Sequence, residues 1–271
     1  MSTSLPEIEG LARSAGDILK AGFITHPGFG RDHQIDYKGE INPVTEIDRL
    51  SEVFLINEIR RNNPDDQIIA EESGHLDAQG NCKWYLDPLD GTTNYVHGVP
   101  NFAVSIGYEV DGEMKYGVVY DPMLDECFSA EIGRGAWLNG LPIRISETDS
   151  LKRSLLVTGF AYDTHTNPRN NLEEFSILML KTQGVRRLGS ATLDLSYVAA
   201  GRLDGFWELR MEQWDLAAGV LIVKEAGGIV TGADGGLDFF EKPCSALAAN
   251  PHLHPRILEV LLQQRTASIV D

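Results

Sequence analysis

The chain has 271 residues, 42% hydrophobic and 23% charged. That globular balance argues against disorder, collagen-like repeats and coiled coil, and it suits one large α/β unit with a real core. Forty acidic residues against twenty-three Lys and Arg give a formal charge of −17, so a nucleic-acid partner is not expected, and an anionic substrate would need divalent cations to approach.

In chain order, Ser4 followed by Glu7 reads as a capping box, and Leu5, Ile8, Leu11, Ala12, Ala15, Ile18 and Leu19 recur at helical spacing. Residues 28 to 42 are Gly-rich and polar and read as a mobile loop. A second helix is predicted from Thr45, with Asp48 at the capping-box position and Ile47, Leu50, Phe54 and Ile59 toward the core, ending before Pro64. QIIAEES and WYLDP then read as short strands ending in acids. FAVSIGYEV and MKYGVVYDP read as a hairpin about an Asp111-Gly112 turn. After about residue 150, strand-like LLVTGF, GFWEL, GIVT and ALAAN alternate with helical NLEEFSILMLKT, ATLDLSYVAAG, DLAAGVLIVKEAG and PRILEVLLQQ, which predicts layered α/β packing. No linker or repeat marks a boundary. The expectation is a single domain over 1–271 with two lobes, about 1–150 and about 151–271.

The three cysteines, Cys82, Cys127 and Cys244, form no Cys-x-x-Cys pair, so neither a disulfide framework nor a zinc site is indicated. No apolar run approaches roughly 18 residues, and the N-terminus has no basic stretch before an apolar one. A cytoplasmic protein with no membrane segment is expected.

Three motifs carry chemistry. In the first, Glu71-Glu72-Ser73-Gly74 follows an apolar run, so a carboxylate sits at the end of a buried strand. In the second, Asp87-Pro88-Leu89-Asp90-Gly91-Thr92-Thr93, Pro88 fixes the backbone between two acids, and Gly91, Thr92 and Thr93 offer N–H groups where a helix begins, a cradle for phosphate oxygens. In the third, Trp214-Asp215-Leu216-Ala217-Ala218-Gly219 places an acid at a helix start, and the small residues allow close approach of another element. The helix is closed by Gly227 or Gly228. Each has a plainer reading, respectively a solvated turn, an Asp-capped helix and a simple N-cap. Together they supply four carboxylates, Glu71, Asp87, Asp90 and Asp215, an oxygen-only set suited to Mg²⁺, Mn²⁺ or Ca²⁺. His252 and His254 before Pro255 read as a solvated turn, His97 as structural, and Trp137 and Trp207 as core or interface residues.

These stretches, EESG at 71–74, DPLDGTTNYVHGVPNFAVSIG at 87–107 and WDLAAGVLIVKEAGG at 214–228, resemble the inositol monophosphatase family of magnesium-dependent, lithium-sensitive phosphatases. The resemblance implies a layered αβαβα fold, a homodimer, and two or three Mg²⁺ ions, with Mn²⁺ a substitute. It assigns Glu71, Asp87, Asp90, Asp215 and the Leu89 carbonyl as metal ligands. Gly91 and Thr92 become the phosphate cradle, with the Thr92 hydroxyl positioning the attacking water. Glu208 is assigned to substrate hydroxyls, and Gly189, Ser190 and Ala191 to the sugar-alcohol pocket. Asp48 and Glu72 stand behind the site, and Lys38 falls in an active-site loop. Catalysis is then expected from Glu71, Asp90 and Thr92 on a small phosphorylated metabolite, inositol 1-phosphate first. The alternatives are fructose 1,6-bisphosphate, a 3′-phosphonucleotide, histidinol phosphate, or a protein-binding regulator that retains the fold. Glu212 departs from the pattern, standing where animal members carry His. As an extra acid near the mouth it is expected to disfavour substrates with a second phosphate.

Overall fold

The computed structural model describes residues 3–25, 35–37 and 43–267. Helix α1 (Leu5–Thr25) opens with the Glu7 carboxylate accepting from both the N–H and the hydroxyl of Ser4 at 2.8 Å. Ile8, Ala12, Ala15 and Leu19 form its wholly buried stripe. Within the stretch read as a loop, Ile35–Tyr37 is a strand, β1, paired antiparallel with β2 (Pro43–Thr45). Lys38 lies outside the described residues.

Helix α2 (Glu46–Asn62) begins as expected. The Thr45 hydroxyl accepts from the N–H groups of Ile47 and Asp48, and Asp48 Oδ2 accepts the Thr45 N–H at 2.9 Å. Leu50, expected in the core, is 52% exposed. Ile47 and Ile59 are buried and Phe54 packs against the core as expected, and the inward face also carries Asp48, Ser51, Glu52 and Leu55, because part of it looks onto the polar end of a strand that hydropathy alone does not register.

The first sheet is built from β3 (Gln67–Ala70), β4 (Gly74–Leu76), β5 (Cys82–Asp90), then, after the short helix α3 (Thr92–Val96), β6 (Ala103–Val110), β7 (Glu113–Asp121), β8 (Glu126–Glu131), β9 (Gly135–Leu138) and β10 (Leu141–Pro142). Its order is β10-β9-β8-β7-β6-β5-β3-β4, antiparallel except where β3 runs parallel to β5. The hairpin turn at Asp111-Gly112 has positive φ at both residues, 51° and 84°, the signature of a type I′ connection.

The second sheet follows a 3₁₀ turn at Leu151–Arg153. Its elements are β11 (Leu155–Thr158), α4 (Leu172–Lys181), β12 (Gly184–Arg186), α5 (Ala191–Ala199), β13 (Gly205–Met211), α6 (Gln213–Glu225), β14 (Ile229–Thr231), β15 (Cys244–Ala249) and α7 (His254–Ala267), with strand order β12-β11-β13-β15-β14. Helices α1 and α2 pack on one face of the first sheet. Helices α5 and α6 lie between the two sheets, and α4 and α7 cover the far side of the second. The expected αβαβα layering is the observed one.

Helix α6 sits at the centre of that stack, and every residue from Leu216 to Val223 is buried. The small residues do what their size suggested. A Cβ at Gly107 of β6 would lie 2.6 Å from the Ala217 Cβ, and one at Gly117 of β7 would lie 2.7 Å from the Ala218 carbonyl oxygen, so the helix rests directly on the sheet. It ends at Gly227, whose φ is +95°. His254 is 6% exposed and contacts the Thr231 hydroxyl at 3.1 Å through Nε2, so this half of the His pair is packed rather than solvated. Trp207 is a core residue as expected, its indole N–H donating to Asn171 Oδ1 at 2.6 Å. Among the described residues no helix is long and apolar enough to cross a membrane.

Candidate active site

The strand expected to end at Asp87 runs on to Asp90, and the extension decides the geometry. In a regular strand, residues three apart point to opposite faces. Here Asp87 pairs with Ser105 but Asp90 pairs with Ala103, so three steps on β5 match two on β6. That one-residue bulge turns both acids to the same side. Asp87 Oδ1 accepts the Leu89 N–H at 3.0 Å, a tight turn about Pro88.

Glu71 arrives from the neighbouring parallel strand, its N–H donating to the Leu86 carbonyl at 3.2 Å. The turn it opens is held by α2, since Glu52 Oε2 accepts the Glu72 N–H at 2.8 Å and Glu52 Oε1 accepts the Ser73 hydroxyl. Glu72 is therefore tied to α2 through its backbone, behind the site. Sequence reading missed Glu52, whose burial is decided by tertiary packing and left no local signal.

After Asp90 the chain turns through Gly91 at φ +93° into α3. Thr92, at the start of α3, is 6% exposed, and its hydroxyl stands 3.0 Å from both Asp48 Oδ1 and the Leu89 carbonyl oxygen. One hydroxyl proton cannot serve two acceptors. Burial pushes the Asp48 carboxyl up to about 6 against its hydrogen bonds from Thr45 and Thr92, so at neutral pH Asp48 is mainly an acceptor and the Thr92 hydroxyl donates to Asp48 or to Leu89, one at a time.

Asp90 joins the two sheets. Its Oδ2 accepts from the Ser190 hydroxyl at 2.6 Å, the Thr192 N–H at 2.7 Å and the Thr192 hydroxyl at 2.6 Å, which latches the start of α5 to β5. Ser190 also caps α5 by accepting the Leu193 N–H. Asp215 is the third residue of α6 rather than its cap. The cap is Glu212, whose N–H donates to Asp215 Oδ2 at 2.8 Å in a reciprocal capping box. The Glu212 carboxylate forms an ion pair with Lys242. The acid thought to repel a second phosphate is thus countered by an ammonium thirty residues along the chain.

One cavity of about 730 Å³ collects these groups: Glu71, Asp87, Leu89, Asp90, Gly91, Thr92 and Asp215 line it, as do Gly189, Ser190, Ala191 and Glu208. Asp48 and Glu72 stand outside the lining. Trp214 of the third motif lines it too, as do Tyr162, Arg187 and Asp194, for which no sequence motif offered a cue. His97 lies at the exposed end of α3, away from the cavity.

The electrostatics are those of crowded buried acids. Burial, then the charges of Glu71, Asp90 and Asp215, hold Asp87 well above the ordinary carboxylate range, and burial with Asp90 does the same to Asp215. Glu208 is pushed up to about 8 by burial, against the pull of Arg187 and with the repulsion of Asp90. Among the described residues no three His, Cys, Asp or Glu side chains close on a common point tightly enough to chelate as they stand. The donor set nevertheless fits a hard divalent cation: all oxygen, buried, and destabilised by its own charge.

Comparison with known proteins agrees. The inositol monophosphatase family model matches residues 5–266. A Synechocystis inositol-1-monophosphatase is 47% identical over 248 residues, 90% of this chain and 85% of that protein. The Pseudomonas aeruginosa Nus factor SuhB is 47% identical over 204 residues, 73% of this chain and 75% of that one. The solved inositol monophosphatase of Anabaena superposes with a TM-score of 0.84 at 42% identity, covering 96% of this chain and 95% of that one. With the acids gathered at one cavity and this likeness along nearly the whole length, the chain belongs to the inositol monophosphatase family of phosphoric monoester hydrolases.

Proposed function

We propose that the protein hydrolyses a small phosphate monoester with the help of Mg²⁺, and that inositol 1-phosphate is its first substrate. The observation that carries this reading is the convergence of Glu71, Asp87, Asp90 and Asp215, from three segments of the chain, on one cavity. Mg²⁺ held by these four acids and the Leu89 carbonyl would neutralise the phosphate and acidify a water molecule. The Gly91 and Thr92 backbone, at the start of α3, faces the phosphate oxygens. Glu71 and the Thr92 hydroxyl hold the attacking water, and Asp48 orients that hydroxyl. Water adds its oxygen to phosphorus as the alcohol oxygen leaves, taking up a proton, so no covalent phosphoenzyme forms. The buried thiols fit this route, since burial holds Cys127 at about 12 and Cys244 at about 11, unsuited to act as nucleophiles. Glu208 accepts hydrogen bonds from substrate hydroxyls beside Gly189, Ser190 and Ala191.

The test is a phosphate-release screen with Mg²⁺ over inositol, sugar, nucleotide and amino-alcohol phosphates, repeated in excess chelator. Release from inositol 1-phosphate that chelation abolishes and Mg²⁺ restores is the expected result. Full activity in chelator, or preference for a bisphosphorylated compound, overturns the reading. A second reading rests on the relative named as a Nus factor, namely a protein-binding regulator. Such a role would survive Asp90→Asn, whereas hydrolysis would not.

A further inference from the structure

Asp194 lines the cavity but has no part in the chemistry above. Asp194 is the fourth residue of α5, its N–H closing the first turn on the Ser190 carbonyl at 3.0 Å. Its side chain lines the cavity and is 1% exposed. Neither carboxyl oxygen accepts a hydrogen bond from the described residues, and Oδ1 is wholly buried without a partner. A buried carboxyl is ordinarily satisfied, so one at a cavity wall with no donor marks a place where a ligand supplies it, and Oδ2, which is not closed off as Oδ1 is, is the oxygen within reach. Burial, then Asp90 and Glu208, push its carboxyl well above the ordinary range, with only Arg187 pulling the other way. Asp90 and Arg187 thus act on both Asp194 and Glu208.

The position of Asp194 is rigid. Asp90 grips Ser190 and Thr192, so the first turn of α5 is fixed to the strand that bears the catalytic acids. On the other side, Glu208 is held against the backbone of Gly159, where a Cβ would come within 2.1 Å of Glu208 Oε2. A second bulge, where Glu208 pairs with Ala246 but Met211 with Cys244, turns Glu208 and Met211 toward the same cavity. Two carboxyl groups on different elements therefore border the same cavity. What such a pair recognises is a set of neighbouring hydroxyl donors on one ring.

We propose that Asp194 is a specificity-determining residue that, together with Glu208, reads hydroxyl groups of a polyol phosphate, its Oδ2 accepting a hydrogen bond from a ligand hydroxyl. This rests on the monoesterase reading above. It deepens that reading by making polyol recognition a two-acid device.

The experiment uses the full chain with Mg²⁺ and compares inositol 1-phosphate with p-nitrophenyl phosphate, in wild type and in Asp194→Asn. The expected result is a loss of kcat/KM on inositol 1-phosphate about tenfold larger than on the aryl ester, carried by KM rather than kcat, with weaker product inhibition by free inositol. A melting curve of the variant shows whether it is folded. Should it not fold, deoxy-inositol 1-phosphates assayed with wild type take its place, with loss of either of two separate hydroxyls expected to raise KM. Equal losses on both esters, a loss confined to kcat, or a deoxy series in which a single hydroxyl matters overturns the proposal. If wild type hydrolyses neither ester, it is the monoesterase reading that has failed. If it hydrolyses both and Asp194→Asn leaves their ratio unchanged, the inference about Asp194 alone has failed.

Discussion

Asp90→Asn separates the two jobs of that side chain. Oδ2 takes three donors, from Ser190 and from the backbone and hydroxyl of Thr192. An amide must therefore turn its oxygen toward them and present its NH₂ to the side where Asp87 and Asp215 stand. Bonds to a charged acceptor contribute about 1.5–3 kcal/mol and bonds to a neutral one about 0.5–1.5, so the three together lose roughly 3 kcal/mol. Against this, a fully buried carboxylate opposed by neighbouring acids disappears, and the new NH₂ donates to those acids. The two changes offset, and the cation-free variant should melt within about 5 °C of wild type. Mg²⁺ should then distinguish them. At a hundred times its Kd a ligand stabilises by about 2.7 kcal/mol, and a tenfold weaker site forfeits about 1.4 of that. Differential scanning calorimetry with and without Mg²⁺, alongside phosphate release, reads both effects. The variant should lose at least half of the Mg²⁺-induced stabilisation and orders of magnitude in turnover. An unchanged Mg²⁺ shift, or near-normal turnover by the purified variant, would refute the assignment and leave Asp90 as a latch between the sheets.

Gly91→Ala forces a side chain into φ +93°, with its Cβ 3.0 Å from the Asn101 carbonyl oxygen and 3.2 Å from that of Gly189. A stability loss of about 2 kcal/mol or more and a lower kcat are expected, and a variant melting with wild type would contradict the tight turn. Glu208→Gln tests pH dependence in the cation-free protein. The carboxyl is held at about 8 when folded against an ordinary 4.5, so its contribution is fully present below about 4.5 and is lost as pH rises through about 8. The variant should therefore lose less melting temperature than wild type between pH 5 and 8, and an identical slope would count against a buried neutral Glu208. Lys242→Gln uncovers the Glu212 charge. As the pair is partly exposed, stability should change by less than about 1 kcal/mol, while KM for a bisphosphorylated ligand rises relative to a monophosphate. A KM ratio that does not move would show that Glu212 faces away from the ligand.

What the sequence determined by itself lies within a turn or a strand's length. The capping box of Thr45 and Asp48, the stripe from Ile8 to Leu19, the Asp111-Gly112 turn, and the small face of α6 all follow from steric and hydrogen-bond preferences acting over a few residues. The acids at 71, 87, 90 and 215 were legible for a related reason, since each ends a strand or starts a helix and so stands out against an apolar neighbourhood. Tertiary structure decided which side those acids face and what meets them. The bulge between Asp87 and Asp90 depends on pairing with β6 and reverses the alternation that a strand would otherwise impose. Glu52 is buried because this part of α2 packs over the turn at Glu72 and Ser73, beside the apolar contacts that Leu55 and Ile59 make. Glu212 is neutralised by Lys242, and Asp194 is buried beside Asp90 and Glu208, only because the layers bring distant segments together. Burial and charge are properties of the space around a side chain, and that space is filled by residues the local sequence does not contain.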